Sequence, residues 1–271
     1  MKKYSPIVFL FFFSSKLLNR LPFFANGRLY WLAARFQGFW LGILTRSEIQ
    51  QADRLGYSRS SLYFLGQYNR SGLFEWEKES LERYFAGCKT LLVAGAGAGR
   101  EVLALNQMGY NAHGFECNPE MVAFSRKLFT EEGMDARIIQ ALPDRCPQGE
   151  RIYDGLIVGW CAYMHIQERD ARISFLREMR GRSVSGAPIL LSFWYRAEAD
   201  LAKLRTQLST ANIFRRLLGR KKAEPGDILD SRGFVHFFTD REIEEELDGA
   251  GFDLACFSDR GHYHAVGIAK E

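Results

Sequence analysis

The first 47 residues contain no acidic side chain; the first carboxylate in the chain is Glu48. The same stretch holds seven cations: Lys2, Lys3, Lys16, Arg20, Arg28, Arg35 and Arg46. Of 36 Lys and Arg and 32 Asp and Glu, this leaves 29 basic against 32 acidic residues in the remainder, so the formal charge of +4 is concentrated in the head. Basicity confined to one end is not a nucleic-acid-binding distribution, and no nucleic-acid partner is expected. No Cys-x-x-Cys pair occurs. Five scattered cysteines, Cys88, Cys117, Cys146, Cys161 and Cys256, exclude a zinc cluster or a disulfide framework and suit the reducing cytoplasm. There is no long apolar run. The stretch Ile7–Phe13 is cut short by Lys16 and Arg20, well below the length that spans a bilayer. Repeats and low-complexity linkers are also missing. A hydrophobic content of 47% excludes wholesale disorder, and 271 residues suffice for one full α/β domain with an attachment.

The most informative segment is LLVAGAGAGREV, residues 91–102. A short apolar run meets glycines at 95, 97 and 99, and a helical pattern follows at once. That order reads as strand, tight turn and helix start. Glycine lets a ligand approach bare backbone, and the first N–H groups of a helix favour polar or anionic groups. A dinucleotide fingerprint would place its third glycine at position 100, which is Arg100. A second strand, AHGFE, ends in Glu116, and Cys117-Asn118-Pro119 opens a helix, where proline is tolerated at the first position. A carboxylate at that strand end suits the paired hydroxyls of a ribose. A later apolar strand, residues 156–158, breaks into a loop holding Trp160, Tyr163 and His165, and the run GAPILLSFW follows one helix later. Thr239 with Glu242 forms a capping-box pattern, and two short strands close the chain.

This G-x-G-x-G turn, with Glu116 downstream and the strand order that follows, resembles class I S-adenosylmethionine (SAM)-dependent methyltransferases over about residues 66–271. The resemblance implies an α/β fold: a Rossmann-like, mostly parallel seven-stranded sheet with helices on both faces. An N-terminal helical cap, residues 1–65, would precede the catalytic domain, residues 66–271, with an insertion at about 196–235. It also implies SAM as cofactor. The expected contacts are Gly95, Ala96, Gly97 and Gly99 from the turn, Glu116 for the ribose, with Cys117 and Asn118 beside it, and Ala141 and Leu142 near the adenine. Trp160 is expected near the sulfonium. Tyr68 and Arg70, from the segment approaching the first strand, are expected at the methionine end. Two positions depart from the family pattern. Val93 stands where an acid usually precedes the first glycine, and Asp144 falls slightly late after strand three.

Methyl transfer from a sulfonium is an in-line displacement, so the protein mainly aligns the reactants and excludes water. A base is needed where the nucleophile carries a proton; His165 is the expected base, with Tyr163 beside it. The expected acceptor is a small molecule or peptide, methylated at oxygen or nitrogen. His262 and His264 are expected on one face of a strand, where two ligands without a third do not make a metal site, and His113 and His236 read as structural. The basic aromatic head stays open to three readings. These are a signal peptide without a clear cleavage site, an amphipathic helix at a membrane surface, and a packed cap that covers the site or makes a homodimer contact. The rival reading of the whole chain is a non-catalytic cofactor-fold module attached to a membrane or partner. A nicotinamide-dependent oxidoreductase is a third and weaker option.

Overall fold

A computed structural model describes residues 4–20, 30–197 and 200–271. Within it the chain forms two compact units, Ser58–Tyr195 with Phe238–Glu271, and Met1–Tyr57 with Arg196–Phe237. The expected boundary at residue 65 therefore falls at Tyr57, and the segment read as an insertion belongs with the head. Of the head residues singled out above, Lys2, Lys3 and Arg28 lie outside the described residues.

The sheet-bearing unit contains strands β1 (Thr90–Ala94), β2 (Asn111–Glu116), β3 (Ile138–Gln140), β4 (Gly155–Val158) and β5 (Pro188–Ser192). Two later strands, β8 (Phe252–Ser258) and β9 (His264–Ala269), complete a seven-stranded sheet in the order β3-β2-β1-β4-β5-β9-β8. The first five strands pair in parallel and β9 runs antiparallel to both β5 and β8. Every residue of β4 and β5 is buried, as expected of central parallel strands covered on both faces. Parallel neighbours need crossovers, and helices supply them. These are α6 (Arg100–Gln107), α7 (Pro119–Glu131) and α8 (Arg169–Arg180), with α10 (Asp240–Gly249) leading into β8. Local chemistry fixes their ends. Asn118 accepts the N–H of Glu120 at 3.0 Å to cap α7, with Pro119 at the first position, and the Thr239–Glu242 capping box opens α10. The Asp154 carboxylate accepts the N–H groups of Lys89 and Thr90, both at 2.9 Å, and so ties the start of β4 to that of β1. Those backbone donors hold its pKa below the usual carboxylate value.

An ion pair between two helices is deeply buried in this unit. Arg172 of α8 and Glu246 of α10 are each 1% exposed at the side chain and meet at 2.7 Å. The Tyr163 hydroxyl donates to the same carboxylate at 2.6 Å, and its ring stacks on Phe238 at 5.2 Å, which Arg172 also faces.

The other unit holds α1 (Pro6–Arg20), α2 (Tyr30–Ile43), α3 (Arg46–Ser58), α9 (Asp200–Leu217) and a hairpin of β6 (Asp227–Asp230) with β7 (Gly233–His236). Its core joins Val8, Phe11, Trp40, Leu41, Ala211 and Phe234. Gly38 and Gly42 lie one turn apart on α2 and let α9 approach closely. A Cβ on Gly38 would stand 2.4 Å from the carbonyl oxygen of Gln207, and one on Gly42 would stand 2.7 Å from the Cβ of Phe214. Among the described residues no helix is long and apolar enough to cross a membrane.

Breaking the Arg172–Glu246 pair from one side should be costly, because it strands a buried charge. Glu246→Ala is expected to lower the unfolding free energy by about 3–5 kcal/mol in urea titration. The triple replacement Arg172→Met, Glu246→Leu, Tyr163→Phe should recover most of that loss, because no buried charge or hydroxyl then lacks a partner.

Candidate active site

The three glycines after β1 all have positive φ, +60° at Gly95, +54° at Gly97 and +115° at Gly99, but they face different surroundings. A Cβ on Gly95 would collide with that of Ala162 at 2.5 Å, and one on Gly99 would press the Phe129 ring at 3.3 Å. A Cβ on Gly97 would meet nothing within 4 Å. Gly97 is thus the position where bare backbone looks onto open space. Its N–H donates to Glu116 Oε2 at 3.0 Å, while Oε1 accepts the Asn118 N–H at 2.7 Å. Two backbone donors therefore fix the carboxylate at the end of β2. Ala96 is buried and enters only through its backbone, donating to the Phe115 carbonyl at 3.1 Å. Asn118 is 3% exposed; its side chain caps α7 and donates to Ser58 Oγ at 3.2 Å, so it props the turn rather than facing a ligand. Cys117 is half-buried on the same turn. The Ala141 N–H donates to the Glu116 carbonyl at 2.9 Å, and Leu142 beyond it is 72% exposed. An open glycine, a fixed carboxylate and an exposed leucine thus stand around the C-terminal end of β2.

The next layer is ionic and was not foreseen from sequence. Helix α5 (Glu75–Tyr84) places Glu77 against Arg100 at the start of α6. Arg100 is 2% exposed and lies between two carboxylates, at 2.7 Å from Glu77 and 2.8 Å from Glu101. It also donates to the Gly72 carbonyl at 2.9 Å and sits 4.1 Å over the Phe74 ring. Glu101 in turn accepts the Trp160 N–H at 3.1 Å, joining this cluster to the loop after β4. Burial works against the Arg100 charge, but Glu101 and Glu77 outweigh it and raise its pKa. Burial also raises the pKa of Glu77, against the pull of Arg100. Tyr68 is pushed up to about 12 by burial and lies within reach of Arg100.

The loop after β4 contributes aromatics and a thiol–imidazole contact. The Gly159 N–H donates to the Ala94 carbonyl at 2.8 Å, and Cys161, at φ +58°, turns the chain into a 3-10 helix, Ala162–His165. Cys161 Sγ lies 3.2 Å from Nε2 of His262, which precedes β9. Trp160 packs edge-on against Phe74 at 5.1 Å, and His262 lies 5.7 Å from the Trp76 ring. Burial pushes the Cys161 thiol up to about 12, so it stays protonated. Burial first, then His264, lowers the pKa of His262 and keeps its imidazole neutral at neutral pH.

Three expectations need correction. Tyr163 is 0% exposed and gives its hydroxyl to Glu246; it is a core residue under the loop, not a catalytic one. Burial, then the Glu246 charge, raises its pKa well above the ordinary value. Arg70 is held by Glu132 at 2.6 Å and Glu131 at 2.7 Å on the outside of α7, so the guanidinium built into the site is that of Arg100. His262, expected on a strand face beside His264, precedes β9 and meets the loop after β4. His165 is half-buried at the last position of the 3-10 helix.

Residues 91–183 match the family model of the methyltransferase domain. Over that segment the chain is similar to methyltransferase domains. No curated protein matches the sequence. Among solved structures, the fold is similar to a SAM-dependent methyltransferase from Methanosarcina mazei, at 15% identity and a TM-score of 0.58, covering 73% of this chain and 99% of that one. It is also similar to SAM-bound CalS10, an amino pentose methyltransferase from Micromonospora echinaspora, at 15% identity and 0.53, covering 74% and 94%. A third is the 1,6-didemethyltoxoflavin-N1-methyltransferase of Burkholderia thailandensis, at 15% and 0.53, covering 82% and 90%.

The candidate site has features that suit SAM: the free Cβ direction at Gly97 leaves a cradle, Glu116 offers acceptor oxygens of the kind ribose hydroxyls need, and Leu142 offers apolar surface of the kind a purine needs. Glu116→Ala should weaken SAM binding by about 1.5–3 kcal/mol, and Gly97→Val should abolish it by filling the cradle. Calorimetry with SAM checks both, and unchanged affinity in either variant would remove that residue from the cofactor site.

Proposed function

We propose that the protein transfers the methyl group of SAM to an oxygen or nitrogen of a small-molecule or peptide-like acceptor by in-line displacement. The observation that carries this reading is the open Gly97 cradle, braced by Glu116 on one side and flanked by the aromatic, imidazole-bearing loop after β4 on the other. Bound SAM supplies an electrophilic methyl with its own leaving group, so this chain's task is to align, enclose and deprotonate. Glu116 and the Gly97 turn hold the nucleoside, and Tyr68 lies toward the methionine end. Trp160 offers its ring to the sulfonium, where an aromatic face stabilises a cation by roughly 1–2 kcal/mol. None of the five cysteines forms a disulfide, and the cytoplasm is the compartment that suits them.

The acceptor's proton goes to an imidazole. His262 is the better-placed one, packed against Trp76 and in contact with Cys161. A protonated ring cannot serve as base, so the rate should fall as the pH drops through the His262 pKa. That pKa lies below the ordinary histidine value, so activity should persist under mildly acidic conditions that silence an unperturbed histidine. His262→Ala should lose about 10²–10⁴-fold in single-turnover rate and lose that acidic limb. The same measurement on His165→Ala decides between the two: if the acidic limb disappears there and survives in His262→Ala, the base is His165. Methylated-product detection with a panel of amino sugars, hydroxylated heterocycles and peptides tests the reaction itself; binding of SAM without turnover of any acceptor would favour the non-catalytic module.

A further inference from the structure

Helix α1 is apolar on both sides. Val8, Phe11 and Phe12 enter the core of the head unit, but Phe9, Leu10, Phe13 and Leu17 are 47%, 56%, 69% and 54% exposed. Their spacing along the helix puts them on one stripe. Such a face is not stable against water when left bare; an apolar stripe of this size marks a docking surface. The charge around it says what docks. Lys16 stands within the stripe, and no acidic residue occurs in the sequence before Glu48. Trp31 on α2 is half exposed, with the Arg35 guanidinium 5.3 Å above its ring. The end of α9 repeats the pattern: Ile213, Leu217 and Leu218 are exposed beside the exposed cations Arg216, Lys221 and Lys222.

Both patches belong to one unit. The Ser5 N–H, just before α1, donates to Gln51 of α3 at 2.8 Å, and Arg220, just past α9, donates to the carbonyls of Ile43 and Leu44 at 2.8 and 3.0 Å. The start of α1 therefore rests on α3, and the end of α9 on the chain just before α3. Large aliphatic and aromatic side chains mixed with Lys and Arg match the boundary between acyl chains and anionic headgroups.

We propose that this face of the head unit docks on the surface of an anionic lipid bilayer, with the α1 stripe and the end of α9 at the headgroup level and no segment crossing. Apolar burial and cation–phosphate attraction act together in this geometry, each basic group adding to the binding.

Sedimentation of the full-length protein with vesicles tests this directly. Vesicles of phosphatidylcholine with phosphatidylglycerol should capture the protein at low salt at least roughly tenfold better than phosphatidylcholine alone, and added salt should reduce that advantage. Phe13→Glu with Leu217→Glu, both at exposed positions, should cut capture roughly tenfold with no change in melting temperature. The parent's lipid and salt dependence needs no variant, so the proposal stays open to refutation even if the variant is unstable. Equal capture by neutral vesicles, or no capture at low salt, overturns it. A dimer seen by size exclusion that the same two substitutions dissolve, without vesicle capture, overturns it in favour of a second copy of the chain.

Discussion

The buried guanidinium of Arg100 is the constraint around which the catalytic unit is arranged. A charge 2% exposed is stable only where its partners are fixed, and here each partner belongs to a different part of the site. Glu77 brings the helix before β1, the Gly72 carbonyl brings the loop leading into that helix, and Glu101 hands the constraint on to the Trp160 N–H after β4. The glycine turn therefore sits in a frame set by charge pairing as much as by the sheet. Two carboxylates face one guanidinium in this cluster, and burial raises the pKa of Glu77 against the pull of Arg100.

The parts of this molecule that could be read from sequence are those fixed by local chemistry. The glycine turn, the acid closing β2, the proline-opened α7 and the Thr239–Glu242 capping box need only neighbours within a few residues, and the family pattern adds the strand order. The parts that escaped depend on side chains meeting across the fold. Arg70 and Arg100 are equivalent as letters. Only the packing of α5 against α6 decides that Arg100 is enclosed by carboxylates, while Arg70 lies on the outside of α7. The loop after β4 misled for a different reason. Cys161 takes a left-handed conformation and starts a 3-10 turn, so no strand or helix period predicts where Tyr163 points; it points into the core. His262 could have been suspected only from its place on the approach to the last strand, beside the C-terminal edge of the sheet.

The missing acid at Val93 has a physical counterpart. Val93 is fully buried on β1, where a carboxylate would face apolar neighbours. The carboxylates of this region stand instead on helices, as Glu77 and Glu101, and pair with the buried Arg100.

The close crossing of α2 and α9 has a consequence for biosynthesis. Gly38 and Gly42 wait for a partner some 170 residues further along the chain, and the five parallel strands of the other unit are encoded in between. On a ribosome the head emerges first, rich in phenylalanine and tryptophan, yet cannot complete its core until α9 and the β6–β7 hairpin have been made. Through most of synthesis its apolar side chains lack their final cover. The nascent chain must shelter them, on a chaperone or another transient surface, until the late segment arrives.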